Sequence, residues 1–301
     1  MMLSNRELND QERLMVAKLE YQILQDGELV RIVNRPFWVV QQHILMADGF
    51  QMLIIQNRRQ REYTLLFKGS SGIIKGTPET WNHEWLGTNL PIGRSLFIQR
   101  DLIPSQLQTA AKVLNQVLKR WPQAKFYLYG HSLGSINIQY ALASCSKIGR
   151  VKRADIYEGP NIYWLLSRRQ QQHVRKFKHK VNNYIDVYDP VAAGYVDGRY
   201  LVGRLRYVKS KLLPPISQHM WGGYQFSSNG RLRLQPLDDR FRFRAVVNRR
   251  LMVKRAPFTT PGEDWWPLIG KQSRWLTGSR TPFAHENDFT VRKIIEQWRL
   301  K

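Results

Sequence analysis

The feature that most constrains the fold of this chain is KFYLYGHSLGS at residues 125–135, an apolar stretch that runs into a Gly-x-Ser-x-Gly turn. A serine in this pattern needs a strand before it and a helix after it, because the sharp turn projects its hydroxyl above a sheet. Strand-forming residues precede the turn, and Ile136, Tyr140 and Ala143 follow it at helical spacing. The pattern predicts that Ser132 is a nucleophile, with an ordinary turn serine as the alternative.

Strand and helix patterns alternate through the middle of the chain. Asp48-Gly49 separates two apolar stretches and is a hairpin signal. A helix is predicted over 104–121, and two further strands are predicted within 154–160 and 180–191, with a basic helix between them. This alternation favours an α/β fold with a mostly parallel central sheet flanked by helices.

Composition narrows the class of protein. The formal net charge of +24 over 301 residues predicts attraction to anionic surfaces. The single cysteine, Cys145, cannot form an internal disulfide, and no apolar run reaches the length of a membrane span. The N-terminal residues carry acids and amides where an export signal would be apolar. We therefore expect a soluble, cytoplasmic protein that needs no cofactor and no metal.

Basic residues concentrate in two places. One is the stretch 167–180, interpreted as a solvated helix face. The other begins near residue 231, where arginines alternate with apolar residues up to about 255 in a pattern that resembles strands. The change in composition predicts a main domain over 1–235 and a basic, tryptophan-rich C-terminal extension over 236–301. Contact with an anionic membrane surface or with nucleic acid is the sharper interpretation of this charge.

A serine nucleophile needs a carboxylate to orient its base. In α/β-hydrolases the chain order is nucleophile, acid, base, with the acid on a loop after a later strand. Asp189 lies where the apolar strand YIDVYDPV gives way to a proline-containing turn, and it is the first candidate. Asp186, three residues earlier and within the predicted strand, is the second. For both, a turn-capping aspartate is the alternative.

Five histidines could bear on the base. His173 and His179 fall in the basic helix before the acid, which favours a surface role. His219 follows the acid on a loop-like stretch and is the first candidate for the base, whereas His285 could serve if the C-terminal residues fold back. His131, inside the turn, is expected to face away from the reaction and to pack.

Ester chemistry also needs donors for the developing oxyanion. The main-chain N–H of Leu133, at the start of the predicted helix, is one candidate. The second is Ser70, because Gly69 before it permits close approach of the main chain. An ordinary Gly-Ser turn is the alternative for Ser70.

The order of these motifs resembles the fungal-type (class 3) lipases. LLFKGSSG, YLYGHSLGS, IYEGPNI and VNNYIDVYDPV follow one another, and a loop histidine comes after them. The likeness covers roughly residues 38 to 232 and is closer still to bacterial lipase-like relatives. Lys68 stands where the family usually has an arginine before the oxyanion glycine, and the basic extension has no counterpart there.

The resemblance implies an α/β-hydrolase fold and a role for each motif. It implies that Ser132, Asp189 and His219 form a catalytic triad and that Ser70 lines the oxyanion hole. It also places a lid in the segment GTPETWNHEWLGTNL, with these candidate lid residues: Trp81, Trp85, Leu86 and Leu90. Packing of those residues in the core is the alternative.

Two classes of function follow from the sequence. The first is hydrolysis of carboxylic esters, with acyl lipids as substrates; acyl transfer and thioester hydrolysis would use the same triad. The second is a non-catalytic hydrolase-fold protein that binds an anionic membrane surface or nucleic acid through its basic residues. No recognisable nucleic-acid motif supports nucleic-acid binding.

Overall fold

The computed structural model of the chain describes residues 4–57, 61–69 and 105–253. Ser70 and His285 lie outside the described residues, as do the candidate lid residues Trp81, Trp85, Leu86 and Leu90. Their roles stay predictions.

In the described part of the chain, eight strands form one sheet, and their spatial order is their order in the chain. They are β1 (Leu29–Ile32), β2 (Arg35–Leu45), β3 (Gln51–Asn57), β4 (Glu62–Phe67), β5 (Lys125–His131), β6 (Val151–Tyr157), β7 (Val181–Ile185) and β8 (Arg204–Tyr207). Strands β1 to β4 pair antiparallel, and β4 to β8 pair parallel. The predicted α/β sheet is confirmed, with an antiparallel edge added to its parallel half.

The α-helices of the described residues are α1 (Asp10–Lys18), α2 (Ser105–Arg120), α3 (Leu133–Ala143), α4 (Arg168–Phe177), α5 (Pro215–His219) and α6 (Asp239–Val253). Helix α2 follows β4 in the chain, α3 joins β5 to β6, and α4 joins β6 to β7. Because these crossovers all step in the same direction along the sheet, right-handed connections put the three helices on one face.

Side chains of β5 divide between the two faces of the sheet with the period of two that strands impose. Phe126 and Leu128 belong to one buried cluster, whereas Tyr127 and Tyr129 belong to the other. The first cluster contains the apolar stripes of α2, α3 and α4, including Leu114, Ile138 and Val174. Strand β5, which leads into the β5–α3 turn, is therefore covered by packed side chains on both faces of the sheet.

The N-terminal segment covers the second face. Leu14 and Ala17 of α1 pack there with Trp38, Trp221 and Tyr224. Residues 208–234 add isolated antiparallel bridges outside the named strands. The segment that carries the candidate base therefore lies on the same face as α1.

A buried polar network fixes the N-terminal segment to the sheet. Arg13 of α1 donates to the carbonyl of Asn5 over 2.6 Å and to the hydroxyl of Tyr129 over 3.1 Å. It lies 3.8 Å from the buried carboxylate of Asp155, which also accepts from Arg153 over 2.7 Å. Because buried charges are tolerated only when they are paired, this network determines how α1 docks.

The alternating pattern after residue 231 does not form the predicted strands over its whole length. Residues from Asp239 to Val253 form α6, whose buried positions include Phe241, Ala245 and Asn248, a helical spacing of four and three. Asp238 accepts from the main-chain N–H of Phe241 over 2.9 Å and caps the helix. The strand prediction was wrong for these residues. Over a short stretch, arginines that separate the apolar residues of a helix can produce the same alternation as a strand.

Among the helices in the described ranges, none has the length and apolar character needed to cross a bilayer. The predicted boundary between 1–235 and 236–301 stays a prediction.

Candidate active site

Ser132 lies at the tight turn between β5 and α3. Its main-chain angles are φ 54° and ψ −120°, a conformation that L-residues rarely adopt. The main-chain N–H of Ser132 donates to the carbonyl of Tyr157 over 3.0 Å, which anchors the turn to β6. The Ser132 side chain makes no capping hydrogen bond to α3. Strain of this kind persists where the surroundings impose it, and the two flanking glycines are part of those surroundings.

Close packing explains why glycines flank the serine at a spacing of two. A Cβ atom on Gly134 would lie 1.9 Å from the carbonyl oxygen of Phe67, at the end of β4. A Cβ on Gly130 would lie 2.8 Å from main-chain atoms of Gly134. The first turn of α3 therefore packs directly on the end of the neighbouring strand. Only glycine permits this approach, as the motif requires.

The structure brings the predicted acid and base together. The Nδ1 atom of His219 lies 2.7 Å from Oδ2 of Asp189, and both side chains are fully buried. The other oxygen of Asp189 accepts from the main-chain N–H of Val191 over 2.8 Å. With its Nδ1 proton directed at the carboxylate, a neutral His219 keeps Nε2 as the proton acceptor.

Asp186, the second candidate acid, has different partners. Strand β7 ends at Ile185, so Asp186 opens the turn and does not lie within the strand as predicted. Its carboxylate accepts from Ser210 Oγ over 2.5 Å and from the amide of Gln218, the residue before the candidate base. Asp186 thus supports helix α5, which carries His219 at its C-terminal end instead of the predicted loop, while Asp189 makes the contact with the imidazole.

His131 connects the elbow to the candidate base. Its Nε2 lies 2.8 Å from the carbonyl oxygen of His219, and its Nδ1 lies 2.6 Å from the hydroxyl of Tyr21. Because a carbonyl only accepts, Nε2 carries the proton and Nδ1 accepts from Tyr21. Burial, helped by the nearby His219 and Lys18, lowers the pKa of His131 well below its ordinary value, which keeps this ring neutral. His131 packs, as predicted, and it also holds the main chain of His219.

Ser132 and the imidazole of His219 share no hydrogen bond in this structure, within its described residues. His219 is nevertheless held against the elbow, since its ring centroid lies 4.4 Å from that of His131, the residue before the serine. Hydrogen bonds between catalytic groups often form fully only with substrate bound. The geometry supplies a base that is oriented by a carboxylate and packed against His131, the residue before the serine.

The main-chain N–H of Leu133 lies at the first position of α3, where the helix dipole favours negative charge. On the opposite side, Gly69 follows β4, and a Cβ there would lie 2.3 Å from the hydroxyl of Tyr21. The same Cβ would lie 3.1 Å from the carbonyl oxygen of His131, so the main chain of Gly69 lies close to the residue before the elbow serine. Ser70, the second predicted donor, begins the stretch that is not described.

No family model matches the chain, and no curated protein does either. Solved structures do match. The chain is similar in fold to fungal lipases.

Three solved structures illustrate the similarity. A mutant of MDLA from Penicillium cyclopium is 15% identical, with 79% of this chain and 89% of that chain covered and a TM-score of 0.46. The Rhizomucor miehei lipase in its propeptide complex is 12% identical, with 69% and 70% covered and a TM-score of 0.42. A triacylglycerol lipase from Penicillium expansum is 13% identical, with 69% and 81% covered and a TM-score of 0.39. Similarity at this level concerns the fold and assigns no activity or residue role; the resemblance to bacterial relatives stays a prediction.

Sequence reasoning missed a buried carboxyl next to the acid turn. Glu158, directly after β6, accepts from the main-chain N–H of Asp186 over 3.1 and 3.0 Å and from the hydroxyl of Tyr224. Burial, together with the carboxylates of Asp189 and Asp186, raises the pKa of Glu158 well above its ordinary value. Burial also raises the pKa of Asp186 to about 7. A polar residue immediately after a strand beside β5 was the signal available.

The remaining predicted residues lie apart from this arrangement. His173 is half-buried on α4, with its Nε2 2.9 Å from the carbonyl of Cys145, and His179 is exposed. Tyr21 carried no signal beyond its place on an apolar helix face. Among the described residues, no group of three or more His, Cys, Asp or Glu side chains could hold a metal ion.

Proposed function

We propose that this protein is a serine hydrolase that cleaves carboxylic esters, with acyl lipids as its substrate class. The observation that carries the proposal is the fully buried hydrogen bond between Asp189 and His219, held through His131 beside the strained Ser132. A buried carboxylate–imidazole pair next to an elbow serine is the arrangement that activates a hydroxyl at neutral pH. The proposal rests on this geometry.

In the first half-reaction, Ser132 Oγ attacks the acyl carbonyl carbon while His219 Nε2 takes the hydroxyl proton. The tetrahedral intermediate then collapses: its bond to the alcohol oxygen breaks, and His219 returns the proton to that oxygen. The alcohol leaves, and the acyl group stays on Ser132 as an ester. Asp189 keeps the imidazole in the required tautomer and stabilises its positive charge.

In the second half-reaction, water attacks the acyl-enzyme and gives its proton to His219. Collapse of the new intermediate breaks the bond to Ser132 Oγ, which recovers the proton from His219, and the carboxylic acid leaves. In both intermediates the negative oxygen is held by the main-chain N–H of Leu133 and by Ser70. The role of Ser70 rests on the resemblance of LLFKGSSG to its counterpart in lipases.

Hydrolysis of an ester panel tests the proposal. Acyl esters of increasing chain length and matched thioesters are presented to the wild type and to Ser132→Ala, His219→Ala and His179→Ala. We expect the first two substitutions to lower kcat/KM by about 10⁴-fold or more, since members of a triad act as a unit. His179→Ala is the matched control, because this exposed histidine should leave kcat/KM unchanged.

Equal turnover by wild type and Ser132→Ala would contradict the proposal. It would favour the alternative of a non-catalytic protein that binds through its basic surface. Comparing esters with thioesters separates ester hydrolysis from thioester hydrolysis. Adding an alcohol acceptor and measuring the new ester detects acyl transfer.

A further inference from the structure

Helix α6, part of the stretch assigned from the sequence to a basic extension, reaches the acid turn through one side chain. The guanidinium of Arg244 donates from Nη1 to the carbonyl of Val187 and from Nη2 to the carbonyl of Asp189. Phe241 and Ala245, on the same helix face, pack in a buried cluster with residues of β7, β8 and the acid turn. The arginine is therefore held in place by the packing of its helix.

The hydrogen bonds of Asp189 involve different atoms of the residue. The main-chain N–H donates to the carbonyl of Asp186 over 3.2 Å, and Oδ1 accepts from Val191 over 2.8 Å. Oδ2 faces His219, and the main-chain oxygen accepts from Arg244. Without Arg244, the carbonyls of Val187 and Asp189 lose the side-chain donor that holds the main chain of the turn.

Charge points the same way as geometry. The titratable and charged groups that face Arg244 and the acid turn are Asp186, Asp189, Glu158, Tyr207, Tyr195, Tyr224 and His219. Three of these are carboxyl groups that are buried within one small region. Burial lowers the pKa of the Arg244 guanidinium, and the carboxylates of Asp189, Asp186 and Glu158 oppose that effect. The arginine thus brings a positive charge next to three buried carboxyl groups.

We propose that Arg244 is a positioning residue for the acid of the triad, so that α6 is an integral part of the active site. The inference rests on the proposed function, because Asp189 has this role only if Ser132 and His219 react. The planar fork of arginine suits two carbonyls at once, which the single ammonium of lysine does not reproduce. Among the described residues, the hydrogen bonds of Arg244 go to the carbonyls of Val187 and Asp189.

The experiment compares Arg244→Ala, Arg244→Lys and Arg242→Ala. Arg242 is the matched control, because it lies on the same helix, is exposed and pairs only with the exposed Asp239 among the ion pairs of the described residues. The rate at which a fluorophosphonate modifies Ser132 is measured across pH. In parallel, proton NMR follows the far-downfield resonance of the proton between His219 Nδ1 and Asp189, which does not depend on reaction at the serine.

We expect Arg244→Ala to slow modification by about 10- to 100-fold, the effect of a misplaced catalytic group. The acidic limb of its pH–rate profile should shift to higher pH by about one unit, because the variant has lost a cation that favours ionised carboxylates. Arg244→Lys should slow modification by about tenfold with its acidic limb at the wild-type pH, since charge remains and the fork is lost. The downfield resonance should broaden or shift in both variants and stay in place in Arg242→Ala.

Wild-type rates, pH limbs and resonance in folded Arg244→Ala and Arg244→Lys would overturn the inference. If Arg244→Ala does not fold, Arg244→Lys decides, and a wild-type rate in that variant overturns it equally. A folded wild-type protein that takes up no probe, with or without detergent, would refute the proposed function instead. In that case the resonance still reports whether Arg244 positions Asp189 against His219.

Discussion

At the scale of single residues, the elbow depends on glycines, because a Cβ atom at these positions would clash with neighbouring main-chain atoms. The glycine at position 134 allows α3 to start directly against the end of β4, and no other residue leaves that space. Ser132 has an unusual main-chain conformation with a positive φ angle. In a strand–turn–helix of this kind, that conformation exposes the serine hydroxyl at the end of the sheet.

Gly134→Ala should therefore destabilise the protein and impair the site together. Its Cβ would lie 1.9 Å from the Phe67 carbonyl oxygen, so the helix or the strand must shift. We expect a loss of about 1–3 kcal/mol in the free energy of unfolding, as for other overpacked positions. Urea unfolding measures it, with Gly149→Ala as the control because a Cβ there meets nothing within 4 Å. Equal stabilities of the two variants would contradict this packing.

The buried carboxyl groups lead to a prediction about pH. Burial raises the pKa of Glu158 well above its unfolded value, so folding favours the protonated form. This stabilisation is complete below about pH 4, the ordinary range of a glutamate pKa, and it is lost as the pH rises through the folded-state pKa. Glu158→Gln cannot ionise, and its amide oxygen can still accept from Asp186 and Tyr224. The variant should lose less stability than the wild type between about pH 5 and pH 8.

Denaturant unfolding at several pH values checks this, with the exposed Glu28→Gln as the control. Each unit of pKa difference corresponds to about 1.4 kcal/mol. Parallel pH dependence in wild type and Glu158→Gln would contradict the assignment of a raised pKa to this carboxyl.

At the scale of secondary-structure elements, sequence patterns predicted what is local and regular. Helix α2, the hairpin β2–β3 and the strand–turn–helix of β5 and α3 all carry strong periodicity, turn signals or both. The short strands β1 and β8, of four residues each, did not stand out, because their pairing depends on neighbours that the sequence does not reveal. Helix α6 was missed although Asp238 provides an N-cap signal.

The same contrast holds for the site. Asp189 and His219 could be singled out because each follows a recognisable signal in the expected order. Tyr21, Glu158 and Arg244 could not be assigned, since their contacts join segments that are far apart in the chain. Long-range hydrogen bonds leave no periodic trace in one sequence.

The N-terminal segment reaches the site through Tyr21, in the short 3₁₀ helix Leu19–Tyr21 after α1. Tyr21→Phe removes the hydroxyl that donates to His131 Nδ1 and leaves that acceptor without its protein donor. Because His131 in turn holds the main chain of His219, loss of this hydrogen bond should misplace the base, and we expect fluorophosphonate modification of Ser132 to slow by about tenfold. Tyr200→Phe, which alters a tyrosine that packs on Trp164, serves as the control. Equal rates in both variants would exclude this role for Tyr21.

At the scale of the whole molecule, the excess of positive charge is the property that the proposed chemistry leaves unexplained. Helix α4 presents the exposed basic residues Arg168, Arg169, Arg175 and Lys176, while Val174 and Phe177 are buried against the core. Basic faces of this kind are attracted to anionic lipid surfaces and lose that attraction in salt. Peripheral membrane contact through this face is a prediction.

Co-sedimentation with phosphatidylglycerol vesicles tests it. We expect binding at low salt, weaker binding at high salt, and a large loss when the four exposed basic residues of α4 are changed to glutamate. Vesicles of phosphatidylcholine are the control and should retain little protein. Equal binding to both vesicle types would contradict an electrostatic contact.

The central claim is that Ser132 is an activated nucleophile, and its most direct test is to map a fluorophosphonate adduct. Intact mass and peptide sequencing are applied to wild type, Ser132→Ala and His219→Ala, with detergent present in a parallel set to exclude a covered site. We predict one adduct on Ser132 in the wild type, none in Ser132→Ala and strongly slowed modification in His219→Ala. Folded wild-type protein that stays unmodified under both conditions would contradict the account.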